Sequence, residues 1–259
     1  MNNDLIILDQ YFNANLLSLN LSKTKFMVFR SSRKTLPEHV NPKLGAQVIE
    51  KVDSFKYLGI ILDSTMSWKN HIKKVEKHVA SHIGIMWRVR LFIPRRILLN
   101  YYFAYIHSHL NYLVSVWGRA ASSYLQKLQL LQNRSLKIIF NKPLLISTLS
   151  LFSDTSHNIL PLAFLCNTQT LLFIHDILHN NKTHHNTQLT TSNLSHRTRQ
   201  HNNLQRIRAN TTFGQKRFQV IGPKIFNQLP STLQTIDCRT IFNVRIKQYY
   251  KQKLNELFH

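Results

Sequence analysis

The chain has 259 residues with 34 Lys and Arg against 11 Asp and Glu, which gives a formal charge of +23 at pH 7 with His neutral. A folded protein with this charge imbalance requires an anionic partner, and a hydrophobic content of 43% excludes wholesale disorder. With only 6 Gly and 7 Pro, the composition argues against Rossmann, P-loop and sandwich folds and favours helices.

The N-terminal part combines one helix with short strands. Apolar residues three and four apart over residues 4–17 predict an amphipathic helix formed around Leu5, Leu8, Phe12 and Leu16. Compact apolar runs over residues 26–29, 46–49 and 54–61 predict three strands. The segment 31–45 contains two prolines and a glycine and predicts a loop within a small antiparallel sheet.

Three long helices are predicted next, and they need one another's apolar faces, so we expect a bundle. The first runs from Trp68 past Met86 with lysines off its apolar face, and the second begins near Pro94 and closes at Gly118. The third covers residues 122–141. The residues predicted to lie on the apolar face of the second helix are Ile97, Tyr101, Tyr105 and Leu113.

The C-terminal part reads as helices on either side of a polar segment. A short helix and a longer apolar one after Pro161 are predicted within residues 146–180. Residues 181–210 are almost free of large apolar side chains and predict a disordered linker. Order is expected to resume at Thr211 and to end in a terminal helix over residues 239–257.

The expected compartment is intracellular, with nucleus and cytoplasm unresolved. Cys166 and Cys238 have no CxxC partner, and the N-terminal residues do not have the pattern of a secretory signal. The longest apolar stretches are interrupted by Asn, Gln and His, so no membrane span is expected. Attachment of the basic helix over residues 66–90 to an acidic membrane surface remains a weaker alternative.

Catalytic constellations are not evident. A two-metal centre needs clustered carboxylates, but no two acidic residues are adjacent, and extended chain would hold Asp53 and Asp63 about 30 Å apart unless the segment folds back. There is no GxSxG motif for a serine hydrolase. A zinc site is conceivable for the His-rich run, but solvated loop histidines are favoured. That run comprises His175, His179, His184, His185, His196 and His201.

Basic residues interleaved with aromatic ones are the more informative feature. They surround the first strand and continue along the first long helix, and their natural counter-charges are phosphates, with aromatic faces available for stacking. The cations concerned are Lys23, Lys25, Arg30, Arg33, Lys34, Lys69, Lys73, Lys74 and Lys77. The alternative is that each aromatic is core and each lysine merely solvated.

Two stretches resemble a known family. LLSLNLSKTKFMVF, residues 16–29, is similar to the palm segment of non-LTR retrotransposon (LINE-type, jockey-like) reverse transcriptases, and FKYLGIILDSTMSWKNHI, residues 55–72, resembles their primer-grip hairpin and first thumb helix. The later runs LQNRSLKIIF and FGQKRFQVIGPKIFNQLP are similar to the tail regions of the same proteins. The implied fold is mainly α with a small antiparallel β-sheet (α+β), a partial polymerase palm followed by a helical thumb bundle.

The resemblance implies a division of the chain and a set of site residues. It places a partial palm with the primer-grip hairpin at residues 1–65, a helical thumb at 66–145, additional helices at 146–180, the linker at 181–210 and a tail at 211–259. Lys23 and Lys25 match lysines near the incoming triphosphate, one of them a candidate proton donor, and which one acts is open. The primer grip corresponds to Phe55, Lys56, Tyr57, Leu58 and Gly59, and nucleic-acid contacts are expected from Arg30, Lys69, Lys73, Lys74 and Lys77.

The family's paired catalytic aspartates would lie before Met1. The resemblance therefore implies no metal ligand and no cofactor in this chain, with Mg²⁺ expected only in the full-length family enzyme. The expected partners are an RNA template and a DNA primer duplex, and also the missing polymerase portion supplied in trans. The expected function is that of a reverse transcriptase fragment that contacts template-primer without catalysis; the alternative is a non-catalytic basic nucleic-acid-binding protein. Apolar surface meant for the missing part is expected to be exposed.

Overall fold

The computed structural model describes residues 2–18, 20, 22–31, 42–44, 47–143, 145–154, 156–179, 189 and 203–256. The chain forms two compact units, one up to Lys74 and the other from Val75 onward. The architecture is mainly helical with a little β-structure, which confirms the predicted class.

The first unit contains helix α1, short strands and the beginning of helix α2. The helices span Asn2–Ala14 for α1 and Lys69–Val89 for α2. The strands are β1 Lys25–Phe26, β2 Lys43–Leu44, β3 Gln47–Val48, β4 Glu50–Lys51, β5 Ser54–Tyr57 and β6 Ile60–Asp63. The buried apolar side chains of this unit are Leu44, Ile49, Ile60, Trp68 and Ile72.

These strands pair two by two and not as the single antiparallel sheet that the sequence predicts. β2 with β3 and β5 with β6 are antiparallel, whereas β1 runs parallel to β4, with Lys25 opposite Glu50. A strand of two residues has too little period-two alternation for its partner to be identified from sequence. Most of the loop predicted over residues 31–45 lies outside the described residues, as do Arg33 and Lys34.

Helix α1 leaves the apolar stripe from which it was predicted partly exposed. Leu8 is exposed, Leu5 and Phe12 are half-buried, and Leu16, just beyond the helix, is 95% exposed. The spacing that predicts a helix does not by itself identify the surface that covers it.

The second unit consists of the remainder of α2 and the helices that follow it. The first long helix has the predicted buried face, with Val79, Ile83 and Met86 almost inaccessible to solvent. The later helices are α3 Arg95–Tyr101, α4 Ser108–Asn111, α5 Val114–Trp117, α6 Ser122–Ile139, α7 Leu149–Ser153, α8 Leu162–His179, α9 Thr212–Gln215, α10 Phe218–Phe226, α11 Ser231–Gln234 and α12 Arg239–Glu256. Helices α6, α7, α8 and α12 match the segments predicted from periodicity and proline positions.

The segment between Pro94 and Gly118 was predicted to be one continuous helix, and this prediction was wrong. The prediction of which residues lie on its buried face was wrong as well. A π-helical stretch, Tyr102–His107, separates α3 from α4, and a left-handed residue, Leu113 at φ 49°, separates α4 from α5. Ile97, Tyr105 and Leu113 are exposed. The buried face instead repeats every four residues through Leu98, Tyr102, Ile106, Leu110 and Val114.

The π-helical stretch explains this spacing. In a regular α-helix, residues four apart drift around the axis by about 40° per step, so a strict four-residue repeat would leave the core. The wider turn of the π-helix counters that drift and keeps the repeat on one face.

Helix α8 is central to the second unit. It packs against α5, α6, α10 and α12, and it is apolar around most of its circumference, as expected for a helix covered on several sides. Of the predicted linker over 181–210, the structure describes only Leu189 and residues 203–210. None of the helices in the described ranges is long and apolar enough to cross a membrane.

Candidate nucleic-acid interface

The predicted primer-grip residues lie on a tight hairpin. β5 and β6 pair from Ser54 opposite Asp63 to Tyr57 opposite Ile60, so only Leu58 and Gly59 form the turn. Both have positive φ, 45° and 85°, as a two-residue type I′ turn requires. Glycine adopts this conformation without steric cost, whereas Leu58 is strained in it.

The tip of this hairpin presents a mixed aromatic and cationic surface. Tyr57 is 55% exposed and Leu58 68% exposed, while Phe55 and Lys56 are also exposed. Because successive residues of a strand point to opposite faces, Phe55 and Tyr57 share one face and Lys56 lies on the other. The arrangement offers a ring surface for stacking and a cation for a phosphate.

Asp63 fixes the connection from the hairpin to α2. Its Oδ1 accepts hydrogen bonds from the amide of Thr65 at 3.2 Å, the hydroxyl of Thr65 at 2.7 Å and the amide of Ser67 at 2.9 Å. Its Oδ2 accepts from the amide of Trp68 at 2.8 Å. Burial alone would raise the pKa of Asp63, but these hydrogen bonds outweigh it and hold the pKa below its usual value.

The chain folds back at this hairpin, so Asp53 and Asp63 are not held apart as they would be in an extended chain. The carbonyl of Asp53 accepts a hydrogen bond from the amide of Ser64 at 2.9 Å, so the two acidic residues lie at the same end of the hairpin. The Asp63 carboxylate is nevertheless occupied by backbone and hydroxyl donors of its own chain. Asp63 therefore serves as a structural anchor, a role that was not predicted from the sequence.

His71 is a second anchor that the sequence did not indicate. It lies buried in the first turn of α2, and its Nδ1 accepts a hydrogen bond from the amide of Ile61 at 3.4 Å. Burial, assisted by the charge of Lys74, lowers the pKa of His71 to about 4, so the ring is neutral near pH 7. The sequence gives no local signal for this hydrogen bond, because His71 lies ten residues after Ile61.

The two candidate triphosphate lysines differ in their surroundings. Lys25, in β1, forms a hydrogen-bonded ion pair with the Glu50 carboxylate of β4, and its side chain is 22% exposed. Lys23 is exposed in the turn that precedes β1, where its amide donates to the Asn20 side-chain oxygen at 3.2 Å. The Lys25 ammonium already has an anionic partner.

The cations predicted on α2 mostly face solvent. Lys69, Lys73 and Lys77 are exposed at a spacing of four residues, while Lys74 is half-buried. Arg30 is also half-buried, and its amide donates to the carbonyl of Ser64 at 2.9 Å, beside the end of the hairpin.

Two carboxylates of the second unit contact basic side chains of the same unit. Asp176 accepts from Arg239 at 2.8 Å, and Asp237 lies 3.2 Å from His179. The part of the chain that the structure describes contains no cluster of three or more His, Cys, Asp or Glu residues that could hold a metal ion. Of the His-rich run, His175 is buried and bonded to the Ile236 carbonyl, and His184, His185, His196 and His201 lie outside the described residues.

Comparison with known proteins identifies related polymerases. The RNA-directed DNA polymerase from mobile element jockey of Drosophila melanogaster is 28% identical over 142 residues, which is 52% of this chain and 15% of that protein. The jockey polymerase of Drosophila funebris is 24% identical over 143 residues, 53% of this chain and 15% of the relative. The probable RNA-directed DNA polymerase from transposon X-element of Drosophila melanogaster is 25% identical over 129 residues, 48% of this chain and 14% of the relative.

The matched region is a small part of each relative, since it spans about 15% of the length of the jockey polymerases. No protein-family model matches the chain, and no solved structure matches it significantly. Over about half of its length the chain is similar to the RNA-directed DNA polymerases of jockey-type retrotransposons, which confirms the resemblance inferred from its motifs.

Proposed function

We propose that this chain is the primer-holding and duplex-binding part of a reverse transcriptase of the non-LTR retrotransposon type. The observation that carries the proposal is the β5–β6 hairpin, which exposes Phe55, Lys56 and Tyr57 on strand β5 and Leu58 in the two-residue turn. The similarity of about half of the chain to jockey polymerases supports an origin in RNA-directed DNA synthesis. The division into palm, thumb, linker and tail is part of this proposal.

In this proposal the hairpin holds the end of the primer. Tyr57 and Phe55 contact the terminal base and sugar through their ring faces, and Lys56 neutralises a primer phosphate from the opposite side of the strand. The strained Leu58–Gly59 turn keeps the tip compact, which permits close approach of the backbone to the nucleic acid. Lys69, Lys73, Lys74, Lys77 and Arg30 supply further phosphate contacts.

For the incoming triphosphate we propose Lys23 in preference to Lys25. Lys25 would have to exchange its Glu50 carboxylate for a phosphate, whereas Lys23 is exposed. We further propose that the carboxylates of a two-metal centre, and with them Mg²⁺, come from outside this sequence. This part of the proposal is supported by Asp63, whose carboxylate oxygens accept hydrogen bonds from backbone amides just before α2.

The competing function is that of a basic nucleic-acid-binding protein without any polymerase role. It is favoured by one feature: no Asp or Glu occurs between Glu76 and Asp154, while ten Lys and Arg do. Such a segment would attract any polyanion. Salt-dependent binding is expected under both functions and does not separate them.

Substrate shape separates the two functions. We expect the chain to bind a recessed primer-template duplex more tightly than a single strand of equal length, and Tyr57→Ala and Lys56→Ala to reduce that preference. Tyr11→Ala, at 58% exposure against 55% for Tyr57, and Lys51→Ala are matched controls on other elements of the same unit. Removing one stacked ring costs about 1–3 kcal/mol, or roughly 5- to 150-fold in affinity.

Three results would each refute a part of the proposal. Equal affinity for duplex and single strands at equal charge density would favour the generic binding protein. A preference that survives Tyr57→Ala and Lys56→Ala unchanged would show that the hairpin is not the grip. Robust primer extension by this chain alone with Mg²⁺ and dNTPs would refute the proposal that the catalytic carboxylates lie outside it.

A further inference from the structure

The connection between α2 and α3 exposes two consecutive large apolar side chains. Leu91 is 75% exposed and Phe92 is 85% exposed, so neither contributes appreciably to the core. A single exposed apolar residue is common on protein surfaces and needs no explanation. Two such residues in a row, at the point where the chain turns from one helix into the next, form an apolar tip that a partner can contact.

The backbone around this tip is short and held by hydrogen bonds. The amides of Phe92 and Ile93 both donate to the carbonyl of Val89, at 3.0 and 3.2 Å. The carbonyl of Pro94 accepts from the amide of Ile97 at 2.9 Å, so α3 begins directly after the turn. A tip that is already ordered loses little conformational entropy when it binds, which favours insertion of its side chains into a partner.

Four arginines flank the tip along the chain. Between Glu76 and Asp154 there is no Asp or Glu, and four of the ten Lys and Arg residues of that interval lie within residues 88–96, the α2–α3 corner. In the part of the chain that the structure describes, none of the four forms an ion pair with a carboxylate. They are Arg88, Arg90, Arg95 and Arg96.

Two of these arginines stack on aromatic rings instead of pairing with acids. The guanidinium carbon of Arg90 lies 3.4 Å from the centre of the Trp87 ring, and that of Arg95 lies 3.9 Å from the centre of the Phe140 ring. Stacking engages the face of a guanidinium and leaves N–H groups at its edge for the oxygens of an anion. The other two arginines are exposed.

The position of Arg95 and Arg96 is electrostatically unfavourable within the protein. Both lie in the first turn of α3, which contains no acidic residue. The backbone dipoles of a helix disfavour cations near its N-terminus, and a local preference broken in this way points to a functional site. An anion bound beside this turn offsets the repulsion.

Charge and side-chain type together indicate which partner fits the corner. A second copy of this chain would bring four more arginines against these, and a protein surface without acidic groups would leave them buried and unpaired, which is costly. A nucleic-acid duplex places phosphates on both sides of every base step. Phenylalanine and leucine are among the side chains that insert between base steps from the minor groove and partially unstack them.

From these observations we infer that the α2–α3 corner inserts Phe92 and Leu91 at a base step of a bound duplex, where the flanking arginines contact the phosphates of that step. The inference rests on the proposed function, which supplies the duplex, and it adds a deformation of the duplex that primer holding alone does not require. Insertion partially unstacks the step and bends the duplex. An acidic membrane also combines anionic phosphates with an apolar interior, and binding to it is one of the outcomes that the experiment distinguishes.

The test uses the full chain and a recessed primer-template duplex with 2-aminopurine placed at successive positions of its double-stranded part. The fluorescence of 2-aminopurine rises when the base loses its stacking, so an insertion is detected at the step where it occurs. We expect the wild type to produce this rise, Phe92→Ala to abolish it and Phe213→Ala to retain it. Phe213 is the matched control because it is another exposed phenylalanine of the second unit, at 59%.

Duplex affinity gives a second readout of the same variants. We expect Phe92→Ala to weaken binding about tenfold with an unchanged melting temperature, because the side chain is exposed in the free protein. Phe92→Leu keeps an apolar side chain that can enter a base step, so it should retain part of the fluorescence rise.

The arginines are tested by the salt dependence of binding. Arg88→Gln/Arg96→Gln removes the cations of two expected phosphate contacts and should make the slope of log affinity against log salt less steep by about two. Arg134→Gln/Arg245→Gln is the matched control, because it removes the same charge from exposed residues of α6 and α12. Equal changes of slope in the two variants would overturn the role assigned to the arginines.

Three outcomes would overturn the insertion itself. The first is a wild type that binds the duplex without any rise in fluorescence, or with a rise that Phe92→Ala leaves intact. The second is co-sedimentation with vesicles of phosphatidylserine and phosphatidylcholine that depends on Phe92, without unstacking of the duplex, which would reassign the corner to a membrane surface. The third is a dimer that dissociates on Phe92→Ala, again without unstacking, which would reassign it to a second copy.

Failure of the corner and failure of the proposed function give different results. A wild type that prefers primer-template over single strands but never unstacks a base step refutes the corner alone. A wild type without that preference refutes the proposed function, and Phe92-dependent unstacking of a blunt duplex would then still support the corner.

Discussion

Replacement of Asp63 by Ala is the sharpest test of the hairpin's attachment to α2. The change removes the acceptor of three amides and one hydroxyl, at distances from 2.7 to 3.2 Å. The amide of Ser67 belongs to an exposed residue and can be rehydrated, whereas Trp68 is only 6% exposed. We expect a loss of about 3–5 kcal/mol, most of it from charge-assisted bonds and from the buried Trp68 amide.

Hydrogen exchange of the backbone amides from Thr65 to Trp68 measures this loss where it occurs. Met66 and Trp68 have φ of 53° and 62°, and the loop should leave this strained conformation once the carboxylate is removed. The matched control is Asp53→Ala at the same end of the hairpin, because Asp53 contributes a backbone carbonyl and its side chain is exposed. Unchanged protection in Asp63→Ala, or equal losses in both variants, would refute the assigned role.

The Asp63 carboxylate also predicts a pH dependence. Its pKa in the folded chain is lowered, so its stabilising contribution is present above the unfolded value of 3.8 and is lost as the pH falls below it. Asp63→Asn should abolish that dependence while retaining one acceptor oxygen.

Three further predictions concern groups buried in each unit. The folded chain should lose stability as the pH falls from about 6.5 to about 4, because unfolded His71 binds a proton more readily than the folded ring with its pKa of about 4. In denaturant titrations, stability should fall less steeply with pH over this window in His71→Gln than in the wild type, and equal slopes would contradict this role of His71. Gly118→Ala should lower the melting temperature, with a cost of about 1–3 kcal/mol, because a Cβ there would lie 2.4 Å from the Val114 carbonyl oxygen and 2.7 Å from the Cys166 sulfur; an unchanged melting temperature would contradict this packing. Gln132→Ala should cost about 2–4 kcal/mol in urea unfolding, because its amide group donates at 3.0 and 2.9 Å to a buried hydroxyl and a carbonyl of two other segments; a loss below about 0.5 kcal/mol would argue against these bonds.

The helices that could be predicted are those whose signals are local. Helix α2 follows from the spacing of its apolar residues, and α8 begins one residue after Pro161, which the sequence marks as its start. The face of the segment after Pro94 could not be predicted, because the π-helical stretch that rotates it depends on tertiary packing. The parallel pairing of β1 with β4 could not be predicted from the sequence either.

The hairpin of the candidate site was predictable because a contiguous motif marks it. The FKYLG run lies on a hairpin as the resemblance implies, and its aromatic residues are exposed. The roles of Asp63 and Lys25 could not be predicted, because each depends on a partner brought close by folding, such as Glu50 for Lys25.

The central claim is that the β5–β6 hairpin holds the end of the primer. It is tested most directly by photocrosslinking from a 4-thiothymidine placed at the 3′ end of the primer in a recessed primer-template duplex, followed by identification of the crosslinked peptide. We expect crosslinks within residues 54–60, lost in Tyr57→Ala and retained in Tyr11→Ala. Crosslinks spread over the basic helices without enrichment in the hairpin would contradict it.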